Sequence, residues 1–160
     1  MKLYLVQHGE AVSKDIDPER PLSGRGQEDV RRLAGFLSEA GVRVARVLHS
    51  GKRRAGQTAA LLAGAVLPGG TVESVGLINP NDAVETFARD LGALPDETMV
   101  VGHLPFMARL VSLLLTRDQE RLRTGFVPGT IVCLESGDDG VWAMGWMIRP
   151  ELLGAGGQKR

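Results

Sequence analysis

Apolar and polar positions change period repeatedly along this chain, and the changes mark out strands, helices and turns. Leu3, Leu5 and Val6 belong to an apolar run that starts at Lys2 and stops at Gln7-His8-Gly9-Glu10, as a buried strand does when it ends in polar groups. The stretch from Val12 to Leu22 is polar and contains proline, which predicts a loop. Ser23 can cap a helix that runs to about Ala40 before Gly41 stops it, with Val30, Leu33, Ala34 and Leu37 as its apolar stripe. Val44 to His49 reads as a second strand and Arg53 to about Val66 as a second helix, broken by Pro68-Gly69-Gly70.

Shorter elements follow. Val72 to Val75 is a strand, Asp82 to Leu91 a helix, Thr98 to Val101 a strand, and Leu104 to Leu115 an apolar helix entered through Pro105. Thr130 to Glu135 and Val141 to Ile148 read as strands around a Gly- and Asp-containing turn, and the alternation of Trp142, Met144, Trp146 and Ile148 predicts that all four pack into the core. This order predicts an α/β fold, a three-layer α/β/α sandwich on a mostly parallel mixed sheet with at least one antiparallel strand near its end. Residues 1–153 are expected to form a single domain and 154–160 a flexible tail.

Composition narrows the function classes. The 160 residues are 43% hydrophobic, and 19 Lys plus Arg balance 19 Asp plus Glu, so no global field draws the chain to nucleic acid or to an anionic membrane. The N-terminal apolar stretch is too short for a signal peptide or a membrane span. Cys133 is the only cysteine, so it forms no internal disulfide, reads as a buried small hydrophobe, and fits a cytoplasmic setting.

Candidate chemistry lies at the strand exits. The first strand delivers His8-Gly9, the second Ser50-Gly51-Lys52-Arg53-Arg54, and the strand from Thr98 delivers Gly102-His103. In a parallel sheet these ends share one edge, so residues distant in sequence converge there. Two histidines without clustered carboxylates or thiols make a poor metal site, and Arg54 would repel a cation, so no metal or cofactor is implied. A phosphate-like anion fits better, because a guanidinium at a helix start adds its planar fork to the free amides.

Four ordered blocks, Gln7-His8-Gly9-Glu10, Arg20-Pro21-Leu22-Ser23 with Gly26, Ser50 followed by Arg54-Ala55-Gly56-Gln57-Thr58-Ala59, and Gly102-His103-Leu104-Pro105, resemble the histidine phosphatase superfamily. The likeness is greatest to its short bacterial members, the SixA-type phosphohistidine phosphatases, and runs from Met1 to about Pro150. It implies a phosphoglycerate mutase-like fold with His8 as nucleophile, Arg54 as phosphate ligand and His103 as the second histidine at the phosphoryl group. Gln7, Gly9, Arg20 and Ser50 would complete the phosphate surroundings, and Asp82 is either a general acid or an N-cap for the helix after it. Neutral His8 would attack phosphorus through one ring nitrogen while the other donates to a backbone carbonyl, a close approach that Gly9 permits.

Two positions depart from the family pattern. Gln7 stands where an arginine is usual, which exchanges a charge-assisted hydrogen bond of about 1.5–3 kcal/mol for a neutral one of roughly 0.5–1.5, or about one to two powers of ten in rate. Arg20, Lys14 or Arg53 would be the replacement charge. Gly51 replaces a common proline, and its conformational freedom would keep the sharp turn. The short span from Thr58 to His103 leaves no residues for a lid, so the expected partner is a phosphohistidine-bearing protein such as a phosphorelay domain. The alternatives are a phosphatase for small phosphorylated compounds and a phosphate-binding regulatory module weakened at Gln7. His49 reads as a hydrogen-bonded structural histidine or a residue of the pocket rim.

Overall fold

In the computed structural model, which describes residues 1–154, six strands form one sheet. They are β1 (Lys2–Gln7), β2 (Arg46–His49), β3 (Val72–Ser74), β4 (Thr98–Gly102), β5 (Ile131–Ser136) and β6 (Trp142–Ile148), in the order β3-β2-β4-β1-β5-β6. The first four are mutually parallel, whereas β5 pairs antiparallel with β1 and β6 antiparallel with β5. The tail expected at 154–160 lies, beyond Gly154, outside the described residues.

Strand alternation sorts the core into two layers. Tyr4, Val6, Val47, Met99, Val101, Ile131 and Cys133 face helices α1 (Gly24–Glu39) and α2 (Arg53–Val66). Leu3, Leu5, Leu48, Val100, Val132 and Leu134 face α3 (Val84–Asp90) and α4 (Phe106–Thr116) on the other side. The three-layer mixed-sheet sandwich expected from the sequence is therefore the observed architecture. Cys133 is buried as expected, and that burial, ahead of the Glu135 charge, pushes its thiol up to about 11. No helix among the described residues is long and apolar enough to cross a membrane.

Local chemistry explains the element ends. Ser23 caps α1 by accepting from the Gly26 amide at 3.0 Å, and Gly41 follows the helix at φ 75°. The α1 stripe is buried as the spacing predicts, with Val30, Leu33 and Leu37 at 1% exposure or less. The second strand starts two residues later than expected, because the Val44 amide donates to the Val66 carbonyl and ties the end of α2 to the strand approach.

Two expectations need correction. Met144 is exposed, and the four alternating residues of β6 do not share one face: Trp146 and Ile148 pack with the α1–α2 layer while Trp142 packs with the α3–α4 layer. A register shift opposite Cys133 and Leu134 leaves Gly145 as an extra residue, and such a slip turns every later side chain to the other face. The third helix begins at Val84 with Ala83 as its N-cap, so Asp82 does not cap it. Its carboxylate accepts from the Asn79 amide at 2.8 Å and closes a turn instead.

Gly26 lets α1 lie against the β1–α1 loop, since an ideal Cβ there would sit 2.1 Å from the Glu10 carbonyl oxygen. Exposed Gly35, in the same helix, has open space at that point. Gly26→Ala is expected to lower unfolding free energy by about 1–3 kcal/mol or more, as overpacking does. Gly35→Ala is expected to raise it by roughly 0.5–1 kcal/mol through helix propensity. Urea unfolding midpoints check both signs.

Candidate active site

Parallel register carries the reactive residues to one edge. Gln7 lies opposite Gly102 in the β1–β4 ladder, so His8 and His103 leave side by side, and the His8 amide donates to the Gly102 carbonyl at 3.0 Å. On the far side of β4, His49 lies opposite Val101, which brings Ser50 level with the same edge. The two imidazole centroids are 5.0 Å apart with their planes at 53°. Arg54 Nε points at His8 Nε2 at 3.4 Å, and Ser50 Oγ meets His103 Nε2 at 2.6 Å.

The hydrogen bonds fix which nitrogen is free. His8 Nδ1 lies 2.7 Å from the Gly9 carbonyl oxygen, which can only accept, so Nδ1 carries the proton and Nε2 keeps its lone pair. Burial, ahead of the charges of Arg54 and Arg20, holds the His8 imidazole down at about 4 despite the Gly9 bond. His103, only 2% exposed, is pushed down to about 3 by burial and then by His8, Arg54, Lys52 and Arg20. Both rings are therefore neutral near pH 7.

The tautomer of His103 follows from what surrounds it. Its Nδ1 is buried without a partner, and a buried orphan N–H is costlier and rarer than an under-used acceptor. The proton then sits on Nε2 and donates to Ser50 Oγ, which leaves the serine hydroxyl hydrogen available to an anion. Arg54 is the second residue of α2, whose first turn has no acidic side chain. Burial and the Arg20 charge lower its pKa, and neither arginine pairs with a carboxylate among the described residues. A neutral nucleophilic nitrogen beside unpaired cations is suited to attack on an anionic, electrophilic centre such as phosphorus.

Known proteins are similar to this chain in sequence and fold. The family model for the histidine phosphatase superfamily, branch 1, matches residues 3–73. The phosphohistidine phosphatase SixA of Escherichia coli (strain K12) is 26% identical over 155 residues, covering 94% of each chain. The structure of the protein histidine phosphatase SixA complexed with tungstate superposes with a TM-score of 0.84 at 26% identity, over 96% of this chain and 100% of that one. Over residues 3–73 the chain resembles the histidine phosphatase superfamily. It is a phosphatase. The alpha-ribazole phosphatase from Shigella flexneri shares the fold, with a TM-score of 0.71 at 17% identity over 90% of this chain and 94% of that one.

The remaining expected residues of this phosphatase divide into those that join the cluster and those that do not. Arg20 joins it: the residue adopts φ 48°, its Nε donates to the Val12 carbonyl at 3.2 Å, and its charge acts on His8, Arg54 and His103. Gly9 packs under the site, where an ideal Cβ would lie 2.8 Å from Val30 Cγ2. Gly51 turns the chain at φ 87°, the conformation expected of a glycine in that place. Gln7 is buried at 7% exposure with Oε1 unpartnered, and makes no side-chain hydrogen bond to His8, Arg54 or His103. Arg53 is drawn 4.0 Å from Asp17, and Asp82 is committed to its turn. His49 Nδ1 accepts from the Gly51 amide at 3.1 Å, the structural role.

Sequence reasoning missed two residues as parts of the site, Gln57 and Thr58. Thr58 is fully buried in α2; its hydroxyl accepts from the Gly9 amide at 3.0 Å and donates to the Arg54 carbonyl at 2.8 Å. Gln57 Oε1 accepts from the Leu22 amide at 2.7 Å. Adjacent side chains on one helix thus hold both ends of the β1–α1 loop. Their signal was a polar pair inside an otherwise apolar helix, which periodicity alone reads as surface.

Thr58→Val keeps the shape and removes the acceptor, leaving a buried Gly9 amide unpaired at a cost of about 1–3 kcal/mol. Its kcat is expected to fall roughly tenfold to a hundredfold with a smaller change in KM, and Thr58→Ser to restore it, because the carbonyl that aims His8 has lost its anchor. Steady-state kinetics on the three proteins checks this.

Low pH should destabilise the fold through the two imidazoles. Between the unfolded value of 6.5 and the folded values of about 4 and about 3, the unfolded chain binds protons that the native site does not. Stability is therefore retained above pH 6.5 and falls with pH below it, by up to about 1.4 kcal/mol per pH unit for each imidazole. Urea unfolding from pH 7 to 4 should show this slope, reduced in His8→Ala, and the His8 ring resonances should stay neutral down to pH 5.

Proposed function

We propose that this phosphatase hydrolyses phosphohistidine on a partner protein, with His8 as nucleophile and phosphorylated His8 as the covalent intermediate. The observation that carries this reading is the 2.7 Å bond from His8 Nδ1 to the Gly9 carbonyl, which leaves Nε2 unprotonated and aimed among Arg54, Ser50 and His103. The Nε2 lone pair attacks phosphorus, the substrate P–N bond breaks, and the departing imidazole retains a proton from solvent. Water then attacks phosphorus, the P–Nε2 bond breaks, and inorganic phosphate leaves with His8 restored. Arg54 stabilises the non-bridging oxygens together with the Ser50 hydroxyl hydrogen, which the bond from His103 Nε2–H to Ser50 Oγ orients, and the Gln7 amide turns to the phosphoryl group. Arg20 supplies the second cationic charge that Gln7 does not. No step is routed through a metal ion or a cofactor.

The substrate class rests on two supports. SixA, the relative aligned over 94% of both chains, is named a phosphohistidine phosphatase. Asp82, the carboxylate that would protonate an alkoxide leaving group, is occupied by the Asn79 amide, and a protonated imidazole leaves without such help. A small phosphoester is the alternative substrate, and would rank first in a panel if Asp82→Asn abolished turnover.

A second reading has its own observation, the buried Gln7 side chain that makes no hydrogen bond to the cluster. A phosphate-binding module would hold vanadate without turnover, and Gln7→Arg would create activity. The proposed enzyme instead forms label on His8 when a labelled phosphohistidine peptide is quenched rapidly at neutral to alkaline pH. His8→Ala is expected to form no label and to lose all turnover above background; turnover retained in that variant overturns the proposal. Gln7→Arg is expected to raise an existing rate by about tenfold to a hundredfold.

A further inference from the structure

Seven large apolar side chains are exposed among the described residues, and three of them, Ile16 at 77%, Leu77 at 58% and Leu104 at 36%, lie on loops at the edge of the sheet that holds His8. Each loop is tied to the site. Ile16 precedes Asp17, whose carboxylate lies 4.0 Å from Arg53 and whose carbonyl accepts the Arg20 amide. Leu77 precedes Ile78, whose carbonyl oxygen is 3.6 Å from where a Cβ on Gly102 would lie. Leu104 follows His103, and the next residue, Pro105, begins a groove of about 320 Å³ whose walls also include Arg109, Glu120, Leu122 and Arg123.

We infer that Ile16, Leu77 and Leu104 form an apolar collar for docking a folded protein whose phosphorylated side chain has apolar neighbours. The inference rests on the reading of function above and deepens it. Leu77 adopts φ 65°, a left-handed state unfavourable for a leucine, so turn chemistry does not account for its identity. Charge complementarity selects the occupant. Arg54, Arg20 and Lys52 make the centre cationic, which calls for an anion, while the surrounding collar calls for apolar surface. A small phosphorylated molecule fills the centre and leaves the collar wet, and a second copy brings cations against cations. A phosphorylated residue on a helix covers both, because its neighbours three and four positions away reach the collar.

The double variant Ile16→Asn/Leu77→Asn tests this. Both positions are exposed and asparagine tolerates the left-handed backbone, so the thermal midpoint should hold. With a histidine-phosphorylated four-helix phosphotransfer domain as substrate, kcat/KM should fall by about tenfold or more, chiefly through KM. With phosphoramidate, a small P–N compound, it should change by less than about twofold. Equal losses on both substrates, or no loss on the domain, overturn the collar and leave the reading of function standing. Wild-type protein that hydrolyses phosphoramidate but not the domain overturns both.

Discussion

Level termination of a parallel ladder is the constraint on which this structure depends. β1 and β4 end opposite one another at Gln7 and Gly102, and β2 ends one residue short of that level, at His49 opposite Val101. Because β4 sits between β1 and β2, the next residues of all three strands emerge within reach of one phosphoryl group. A shift of two residues in either ladder would keep every apolar side chain on its proper face and still separate His8 from His103. The core alone does not select the working register. Backbone bonds beyond the strands help to do so: the His8 amide to the Gly102 carbonyl, and the Gly129 amide to the carbonyls of Gln7 and His8.

The site gathers groups that do not favour one another's company. Two imidazoles are buried beside Arg54, with the charges of Arg20 and Lys52 also acting, and burial alone would keep both rings neutral. Cations without carboxylate partners raise one another's energy, a cost that the rest of the fold must offset. The offset is visible below the site, in β1, buried from Leu3 to Gln7, the Ser23 cap and the Gln57 and Thr58 bonds that pin the β1–α1 loop to α2. Binding an anion would relieve the repulsion, so the same arrangement would favour capture of phosphate.

Legibility in the sequence followed the physics of each feature. The helices α1 and α2 were readable to within a residue, because Ser23, Gly41 and the Pro68-Gly69-Gly70 break are short-range signals. His8, Arg54 and His103 were readable because each ends a strand or starts a helix, and sheet topology does the rest. The face change in β6 was not, since the slip that makes Gly145 an extra residue depends on pairing with β5, which no local pattern encodes. Asp82 resembled a cap because it precedes a helix, but its carboxylate found the nearer amide of Asn79. Thr58 was unreadable as a positioning group, because its partners Gly9 and Arg54 come from elements that only the tertiary fold brings together.

Gln7 shows how one substitution redistributes work within such a site. An arginine there would place a guanidinium at the end of the central strand, where the flanking chain is buried and the charge is hard to desolvate. The amide avoids that cost but leaves Oε1 unpartnered and contributes no charge. Positive charge reaches the site instead from outside the sheet, through Arg20 on the β1–α1 loop and Lys52 before α2. Side chains on loops hold their positions less firmly than one on a strand, and Arg20 is steadied by a left-handed backbone and a single bond to the Val12 carbonyl. Charge delivered this way is best organised when the loop itself is held. A docked protein surface resting on Ile16, four residues before Arg20, would do that, and the proposed docking and phosphate stabilisation would then be joined in the same loop.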